Sequence, residues 1–401
     1  MTTALPLSGI RVLELGQLVA APSATRILAD FGADVVKIES PEGDPLRTWG
    51  NMAPSGSSWW WSMQGRNKRL VSINLKDPQG QALVQEMARQ ADVFIQNLRP
   101  GRVTEWGLHY EHLESLNPSL IYVSISGYGL SGPYHDKPGF GHIAESMGGL
   151  RYITGFPEMP PVRTGISLGD EVAALHAVIG VLTALYRRAH DPQHHGDHVD
   201  VALTESVVSM TEALLPEYLN AGIIQERTGN QLLRSAPSNI YPTSDGKWVA
   251  IGANSTATFA QLLTVMNRQD LLEDARYTSN AGRVAHADDL DQMIGEWTAH
   301  QTIHEVIDQL DRVGVPAGPV MNARDIAHDP QMRERNMIQT VADPTGTPIG
   351  MLNVVPKLVR NPGRIQWAGG RIGEHTAEVL TELLSMTDQD VERLRALGIV
   401  R

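Results

Sequence analysis

Ile10 to Glu39 reads IRVLELGQLVAAPSATRILADFGADVVKIE, and this stretch decides the fold. Ile10 to Leu15 (IRVLEL) reads as a short buried strand. Ser23 to Phe31 (SATRILADF) is a helix capped by Ser23 and stopped at Gly32. Asp34 to Glu39 (DVVKIE), rich in β-branched residues, is a second strand. Strand, turn, helix and strand in so short a span make a βαβ unit, which calls for a parallel sheet.

The pattern repeats on the carboxyl side. Leu70 to Leu75 is a strand, and Asp77-Pro78 caps and opens a helix reaching about Gln90. Asp92 to Gln96, a helix near Tyr110 to Leu116, and a strand at Leu120 to Ile125 follow. This is a doubly wound, Rossmann-like α/β domain, in which ligands sit outside the carboxyl ends of the strands. From Glu171 to about Arg188, Val172, Leu175, Ile179, Leu182 and Tyr186 fall three and four apart, as in a long amphipathic helix. A strand at His198 to Leu203 and a helix over Glu205 to Ala221 come next. Asn239 to Ala253 (NIYPTSDGKWVAIGA) then reads as a hairpin turning at Asp245-Gly246, within a smaller α+β domain over residues 228–320.

Composition bounds the function. The chain has 401 residues, 42% hydrophobic and 19% charged, with no cysteine and a formal net charge of −12. That length suits two or three domains. Its acidity opposes nucleic-acid binding, and the lack of cysteine removes disulfides, thiolate nucleophiles and thiolate metal sites. The longest apolar stretch, Val172 to Tyr186, contains His176 and falls short of the ~20 residues that span a bilayer. MTTALPLSGIRVLEL lacks a basic n-region and an apolar h-region, so a cytoplasmic protein without a membrane partner is expected.

Several motifs carry both a chemical and a structural reading. Gly127-Tyr128-Gly129-Leu130-Ser131-Gly132 is a literal GxGxxG, but Pro133 and Pro138-Gly139 leave no helix to hold a pyrophosphate; it reads as a glycine loop lining a pocket. Gly165-Ile166-Ser167-Leu168-Gly169 is a literal GxSxG without the preceding strand that a nucleophile elbow needs. Asp170 follows it directly. It is either an ordinary N-cap or a carboxylate held ionised by helix amides and placed to attack a carbonyl. His190, His194, His195 and His198 match no metal-ligand spacing and read as a turn, so no metal is expected. Of Trp59, Trp60 and Trp61, at least one is expected at a pocket or interface. Arg66, Lys68, Arg69, Lys76, Arg99, Arg102 and Lys137 fall at strand ends and loops. They are either scattered surface charge or cations for an anionic ligand.

Taken together, these stretches resemble the class III CoA-transferases, the family of formyl-CoA transferase and succinyl-CoA:dicarboxylate transferases. Besides the opening stretch from Gly9 to Glu39, the matches are GDPLR (43–47), RNKRLVSINLKDPQG (66–80), NLRPG (97–101), SGYGLSGPY (126–134) and GISLGD (165–170). GRVAHADDL (282–290), GVPAGPV (314–320), HDPQM (328–332) and GEHTAEVL (373–380) follow in order. The resemblance implies a large CoA-binding domain whose first part is residues 1–200, a linker at 201–227, the small domain at 228–320, and a linker and return to the large domain at 321–401. It implies an interlocked homodimer, and Asp170 as the nucleophile that forms a mixed anhydride and then an aspartyl-CoA thioester. Coenzyme A enters as acyl-CoA substrate, with no metal and no nucleotide cofactor. Its expected contacts are Val19, Ala20, Arg47, Lys76, Asn97, Leu98, Arg99, Arg102 and Lys137. Gly127, Tyr128, Gly129, Phe140, His142 and Arg163 are expected around the acyl group and acceptor, with glycine-loop amides as oxyanion donors. Ser40 and Glu105 stand where many relatives carry basic residues, so the adenine and 3′-phosphate contacts are rearranged.

Two rival functions share the resemblance. An acyl-CoA racemase or epimerase would need a histidine base near Gly139-Phe140, where His142 lies two positions on. A non-catalytic CoA-binding protein would need no nucleophile. The small domain lacks the glycine-rich loop of formyl-CoA transferases, which points away from formate and oxalate. Arg163 and His142 are candidates for the distal carboxylate of a dicarboxylic acid, with succinyl-CoA the expected donor and a C4 to C6 diacid the expected acceptor.

Overall fold

Strand β1 (Arg11–Leu15), helix α1 (Ala20–Asp30) and strand β2 (Asp34–Glu39) form the expected βαβ unit. The chain continues through α2 (Trp59–Gln64), β3 (Lys68–Ser72), α3 (Pro78–Ala88), β4 (Val93–Gln96), α4 (Pro100–Glu105), α5 (Tyr110–Leu116) and β5 (Ile121–Ser126). Next come α6 (Gly141–Met147), α7 (Leu168–His190), β6 (Asp197–Ala202) and α8 (Leu203–Val208). These six strands make one parallel sheet in the order β3-β2-β1-β4-β5-β6. The structure, a computed structural model, describes residues 4–401.

Both faces of the sheet are covered, and β1 to β5 are buried along nearly their whole length. The period of two sends Leu13, Val36, Val71, Phe94 and Tyr122 to one face, against α3, α5 and the two C-terminal helices Thr376–Leu384 and Asp388–Ala396. Val12, Val35, Val93 and Ile121 face the other way, against α1, α7 and α8. The chain end returns to this unit through the Asn74 amide, which donates to the Ile399 carbonyl at 2.8 Å. The unit comprises the chain up to Leu150, then Thr164–Ala213 and Gln331–Arg401. The second unit, Arg151–Arg163 with Leu214–Pro330, holds a three-stranded antiparallel sheet of Ser238–Pro242, Trp248–Gly252 and Ala317–Pro319. Its hairpin turns at Asp245-Gly246, with Gly246 at φ +72°, and its core gathers Tyr241, Val249, Ile251, Leu262, Ile294 and Leu310.

Besides shifts of a few residues at strand ends, such as β3 at Lys68–Ser72, three helix limits differ from the sequence reading. Helix α1 starts at Ala20, so Ser23 is not its cap; the Ser23 hydroxyl donates instead to Glu171 at 2.9 Å. Pro22 fits because amides of the first helical turn lack intrahelical partners. Helix α7 starts at Leu168 rather than Glu171, which puts Asp170 inside its first turn. The single helix expected over Glu205 to Ala221 is broken into α8 and Leu214–Ala221. Ser209 and Thr211 hydroxyls donate back to the Ser206 and Val208 carbonyls at 2.8 Å each, and Glu212 adopts φ +50°, which no helix continues through.

The sheet also buries charge. Glu14 in β1, Lys37 in β2 and Lys68 in β3 each have no exposed surface. Lys37 Nζ lies 2.7 Å from Glu14 Oε1, Lys68 Nζ lies 2.8 Å from Oε2, and the Thr25 hydroxyl donates to Oε2 at 2.6 Å. Burial works to raise the Glu14 carboxyl, but the two ammonium groups outweigh it and hold it at about 2, below its ordinary 4.5. Glu14→Gln leaves buried Lys68 without its counter-charge and takes one of two carboxylates from Lys37, the other being Asp44, and is expected to cost about 3–5 kcal/mol in urea unfolding at neutral pH. The stabilisation from this carboxylate is complete above about pH 4.5 and is lost as the pH falls through about 2. Acid titration of stability is therefore expected to be flatter for Glu14→Gln than for the wild type over that window.

Candidate active site

Because β2 and β3 lie on one side of β1 while β4, β5 and β6 lie on the other, the connections from β1 and β4 diverge and open a crevice at their carboxyl ends. A cleft of about 240 Å³ occupies it. Gln17 to Ala20 after β1, Asn97 to Arg99 after β4 and Ile125 to Gly127 at the end of β5 form its walls. His135, Lys137 to Phe140, Leu203 and Asp170 complete it. A second lobe of about 170 Å³ lies over the ends of β2 and β3, between Ile38, Ser40, Glu42, Ile73, Leu75, Lys76, Leu98 and Trp106. Leu98 and Gln17 border both lobes. Arg99, Arg102, His135 and Lys137 frame a basic recess that shares three of these residues with the main cleft.

Asp170 is the third residue of α7, half-buried, behind a Ser167 N-cap position that makes no side-chain capping bond. It is therefore not the N-cap. A carboxylate in the first turn still meets the positive end of the helix dipole. Glycines bring the backbone up to it. A Cβ on Gly141 would collide with Asp170 Oδ2 and stand 2.7 Å from its Cγ. A Cβ on Gly169 would stand 2.8 Å from the Gly141 carbonyl, and the Gly169 amide donates to the buried Glu145 at 3.2 Å. On the other side, Gly127 and Gly139 press together so closely that a Cβ on Gly127 would lie 2.9 Å from the Gly139 Cα. The segment Pro138 to Gly141 is thus wedged between the glycine loop and Asp170.

The expected residues divide by geometry. Val19, Ala20, Leu98, Arg99, Lys137, Gly127 and Phe140 line the cleft with Asp170. Lys76 lines the second lobe, and Arg102 the basic recess, where Glu105 pairs with it at 3.3 Å. Asn97 borders the cleft, but its side chain is engaged: Oδ1 accepts the Gln17 amide at 2.8 Å and Nδ2 donates to the Gln17 carbonyl at 2.9 Å. Arg47 is 7% exposed and forms a bidentate pair with Glu39 at 2.8 and 2.6 Å. Its guanidinium also donates to the Gly370 carbonyl and stacks 3.6 Å over Trp61, so it braces the fold rather than facing a ligand. Arg66 and Lys68 likewise turn inward, to Asp30 and Glu14, and Arg69 pairs with Asp34. Tyr128 packs edge-on against Tyr134. The Gly129 amide donates to the Ser126 hydroxyl at 2.9 Å, which occupies one of the expected oxyanion donors. His142 is exposed on α6 and stacks on Phe140. Arg163 is an exposed residue of the second unit.

Sequence reasoning missed Gln17, Leu18, His135, Gly139 and Gly141. A signal existed for two of them: in Pro138-Gly139-Phe140-Gly141, glycines alternate with a large side chain just before a helix, a mark of close backbone approach. The role of Leu18 leaves no sequence trace, because it depends on φ +62° at a residue other than glycine.

Residues 7–376 match the model of CoA-transferase family III. The chain is 44% identical over 396 residues to succinyl-CoA–D-citramalate CoA-transferase of Chloroflexus aurantiacus, covering 98% of each sequence. It is 38% identical to the β subunit of that organism's succinyl-CoA–L-malate CoA-transferase, covering 100% of this chain and 99% of the relative. With succinate–glutarate CoA-transferase of Agrobacterium fabrum the identity is 34%, over 94% of this chain and 96% of the relative. The crystal structure of a CAIB/BAIF family protein from Brucella suis superposes with a TM-score of 0.85 at 33% identity, covering 95% of this chain and 100% of that one. Sequence motifs, sheet order and these likenesses converge: the chain belongs to CoA-transferase family III.

Proposed function

We propose that this protein moves CoA from succinyl-CoA to a C4 to C6 dicarboxylic acid, with Asp170 as the covalent carrier. The observation that carries the reading is Asp170 itself: a first-turn carboxylate at the end of a cleft whose other walls include Val19, Ala20, Ile125, Phe140 and Leu203. An Asp170 oxygen attacks the thioester carbonyl, the C–S bond breaks, and CoA leaves as a thiolate from a mixed anhydride. The thiolate then attacks the aspartyl carbonyl, freeing succinate and leaving an aspartyl-CoA thioester. The acceptor carboxylate attacks that thioester, and the released thiolate takes the acceptor acyl group from the second anhydride. Thioester energy is conserved at each exchange. Water is the competitor, and the apolar walls and wedged glycine segments oppose its entry.

For CoA, Val19, Ala20 and Leu98 supply packing, while Arg99, Arg102 and Lys137 supply cations for phosphates. Lys76 serves the second lobe. The donor and acceptor classes rest on the relatives, which are named for succinyl-CoA with D-citramalate, L-malate or glutarate.

We also assign a homodimer. Leu175, Ile179, Leu182 and Tyr186 form one stripe along α7 and are 54%, 59%, 43% and 70% exposed, an apolar face of the kind a second subunit covers.

A panel of carboxylic acids with succinyl-CoA and acetyl-CoA, read by mass spectrometry, tests the reaction. New acyl-CoA from a diacid is expected; α-proton exchange in D₂O without any acceptor acid would point to the racemase instead. Asp170→Ala is expected to abolish transfer with its circular dichroism unchanged, and hydroxylamine is expected to label Asp170 in donor-treated wild type; activity within a few-fold of wild type would overturn the mechanism. Gly141→Ala displaces the Asp170 carboxylate and is expected to lower kcat by about 100-fold while the fold is retained. Ile179→Glu is expected to shift the light-scattering mass from dimer to monomer.

A further inference from the structure

The GDPLR segment, Gly43 to Arg47, is not used by the proposed chemistry, yet it lies behind the cleft. Leu18, which borders the cleft beside Val19 and Ala20, has φ +62°, a left-handed conformation uncommon for residues other than glycine. Asp44 Oδ1 accepts the Leu18 amide at 3.2 Å and the Leu46 amide at 2.9 Å. Asp44 is 3% exposed, and its Oδ2 is ion-paired at 2.9 Å with the fully buried Lys37. Lys37 in turn donates to the Gly16 carbonyl at 2.8 Å. Asn97 holds the amide and carbonyl of Gln17 between them. From the Gly16 carbonyl to the Leu18 amide, every backbone polar group of the turn is therefore held by a side chain from β2, the Asp44 loop or the end of β4.

We infer that Asp44 is a positioning residue: through the Leu18 amide it holds the β1–α1 turn in the left-handed conformation that presents Leu18, Val19 and Ala20 to the bound CoA thioester. The inference rests on the CoA-transfer reading for its ligand and not on the chemistry at Asp170. Asn97 holds the middle of the turn independently, so loss of Asp44 loosens its far end and leaves the Asp170 end of the cleft in place. The expected defect is in binding rather than in turnover.

The test combines calorimetric binding of CoA with steady-state kinetics on succinyl-CoA. Asp44→Ala is expected to raise the CoA Kd and the succinyl-CoA KM about tenfold with kcat within about threefold of wild type. Asp44→Asn keeps an oxygen for the Leu18 amide and is expected to restore both to within about threefold, even if it is less stable. Leu18→Gly holds a positive φ without help, so in that background the Asp44→Ala penalty is expected to shrink below about threefold, the coupling that a double-mutant cycle reads. If Asp44→Ala does not fold, Asp44→Ser, with its shorter side chain, replaces it. An unchanged CoA Kd, an equal penalty in both Leu18 backgrounds, or a fall in kcat alone would overturn the inference. Wild-type protein that binds CoA but transfers none would overturn the transfer reading and leave this one standing.

Discussion

A carboxylate without solvent, Glu14 in β1, holds an ammonium group from each of the next two strands of the sheet, Lys37 of β2 and Lys68 of β3. Each ion left alone would carry a desolvation penalty of several kcal/mol, so the three strands are stable only in the register that joins them. Glu14 and Lys37 are direct cross-strand partners in the β1–β2 ladder. A one-residue slip would throw Glu14 to the opposite face, away from both lysines, and leave Lys68 unpaired. The charges therefore add specificity that the apolar runs of β1, β2 and β3 do not supply, since valine and isoleucine pack acceptably in more than one register. Lys37 carries that specificity outward, because the same ammonium group that fixes the register also holds the Gly16 carbonyl and Asp44 behind the cleft.

On the far side of the cleft the constraint is steric rather than ionic. Gly127, Gly139, Gly141 and Gly169 let three backbone segments approach one another beside a single carboxylate. Close approach removes space for water as well as for side chains, and for an anhydride or a thioester intermediate that exclusion matters as much as any hydrogen bond. Part of the cleft lining, at Leu18, is thus held by buried charge, and part, around Asp170, is shaped by missing side chains.

The fold was legible because its signals are local and periodic. The opening βαβ unit, the Asp77-Pro78 helix start and the Asp245-Gly246 hairpin each follow from a few adjacent residues, and each appears in the structure. Helix starts were read less well: Ser23 looks like a cap, but its hydroxyl serves Glu171 across a helix–helix contact that no local pattern announces. Asp170 was legible as a candidate from its place at a glycine-rich helix start beside Gly169, while Gly141, which presses on its carboxylate, comes from a separate segment. The cationic residues were the hardest to sort. Sequence places Arg66 and Lys68 at strand ends and loops alongside Arg99 and Lys137, the resemblance adds Arg47, and only burial separates the two groups.

That separation bears on how an acidic chain handles an anionic ligand. With a net charge of −12, the long-range field does not attract phosphates, so recognition depends on cations at short range. The inward-facing Arg47, Arg66 and Lys68 are neutralised by Glu39, Asp30 and Glu14 and contribute little to that local field. Arg99 and Lys137 stand at the cleft itself, whereas Arg102 is partly offset by Glu105 and Lys76 shares its lobe with Glu42. Positive charge thus comes chiefly from Arg99 and Lys137 at the main cleft, since Glu105 and Asp136 pair with Arg102 and His135 in the recess, and the lobe over β2 and β3 is close to neutral and largely apolar. Such a gradient suits a ligand that is a polyanion along one stretch and an uncharged aromatic at its end, which is the chemical form of a CoA nucleotide.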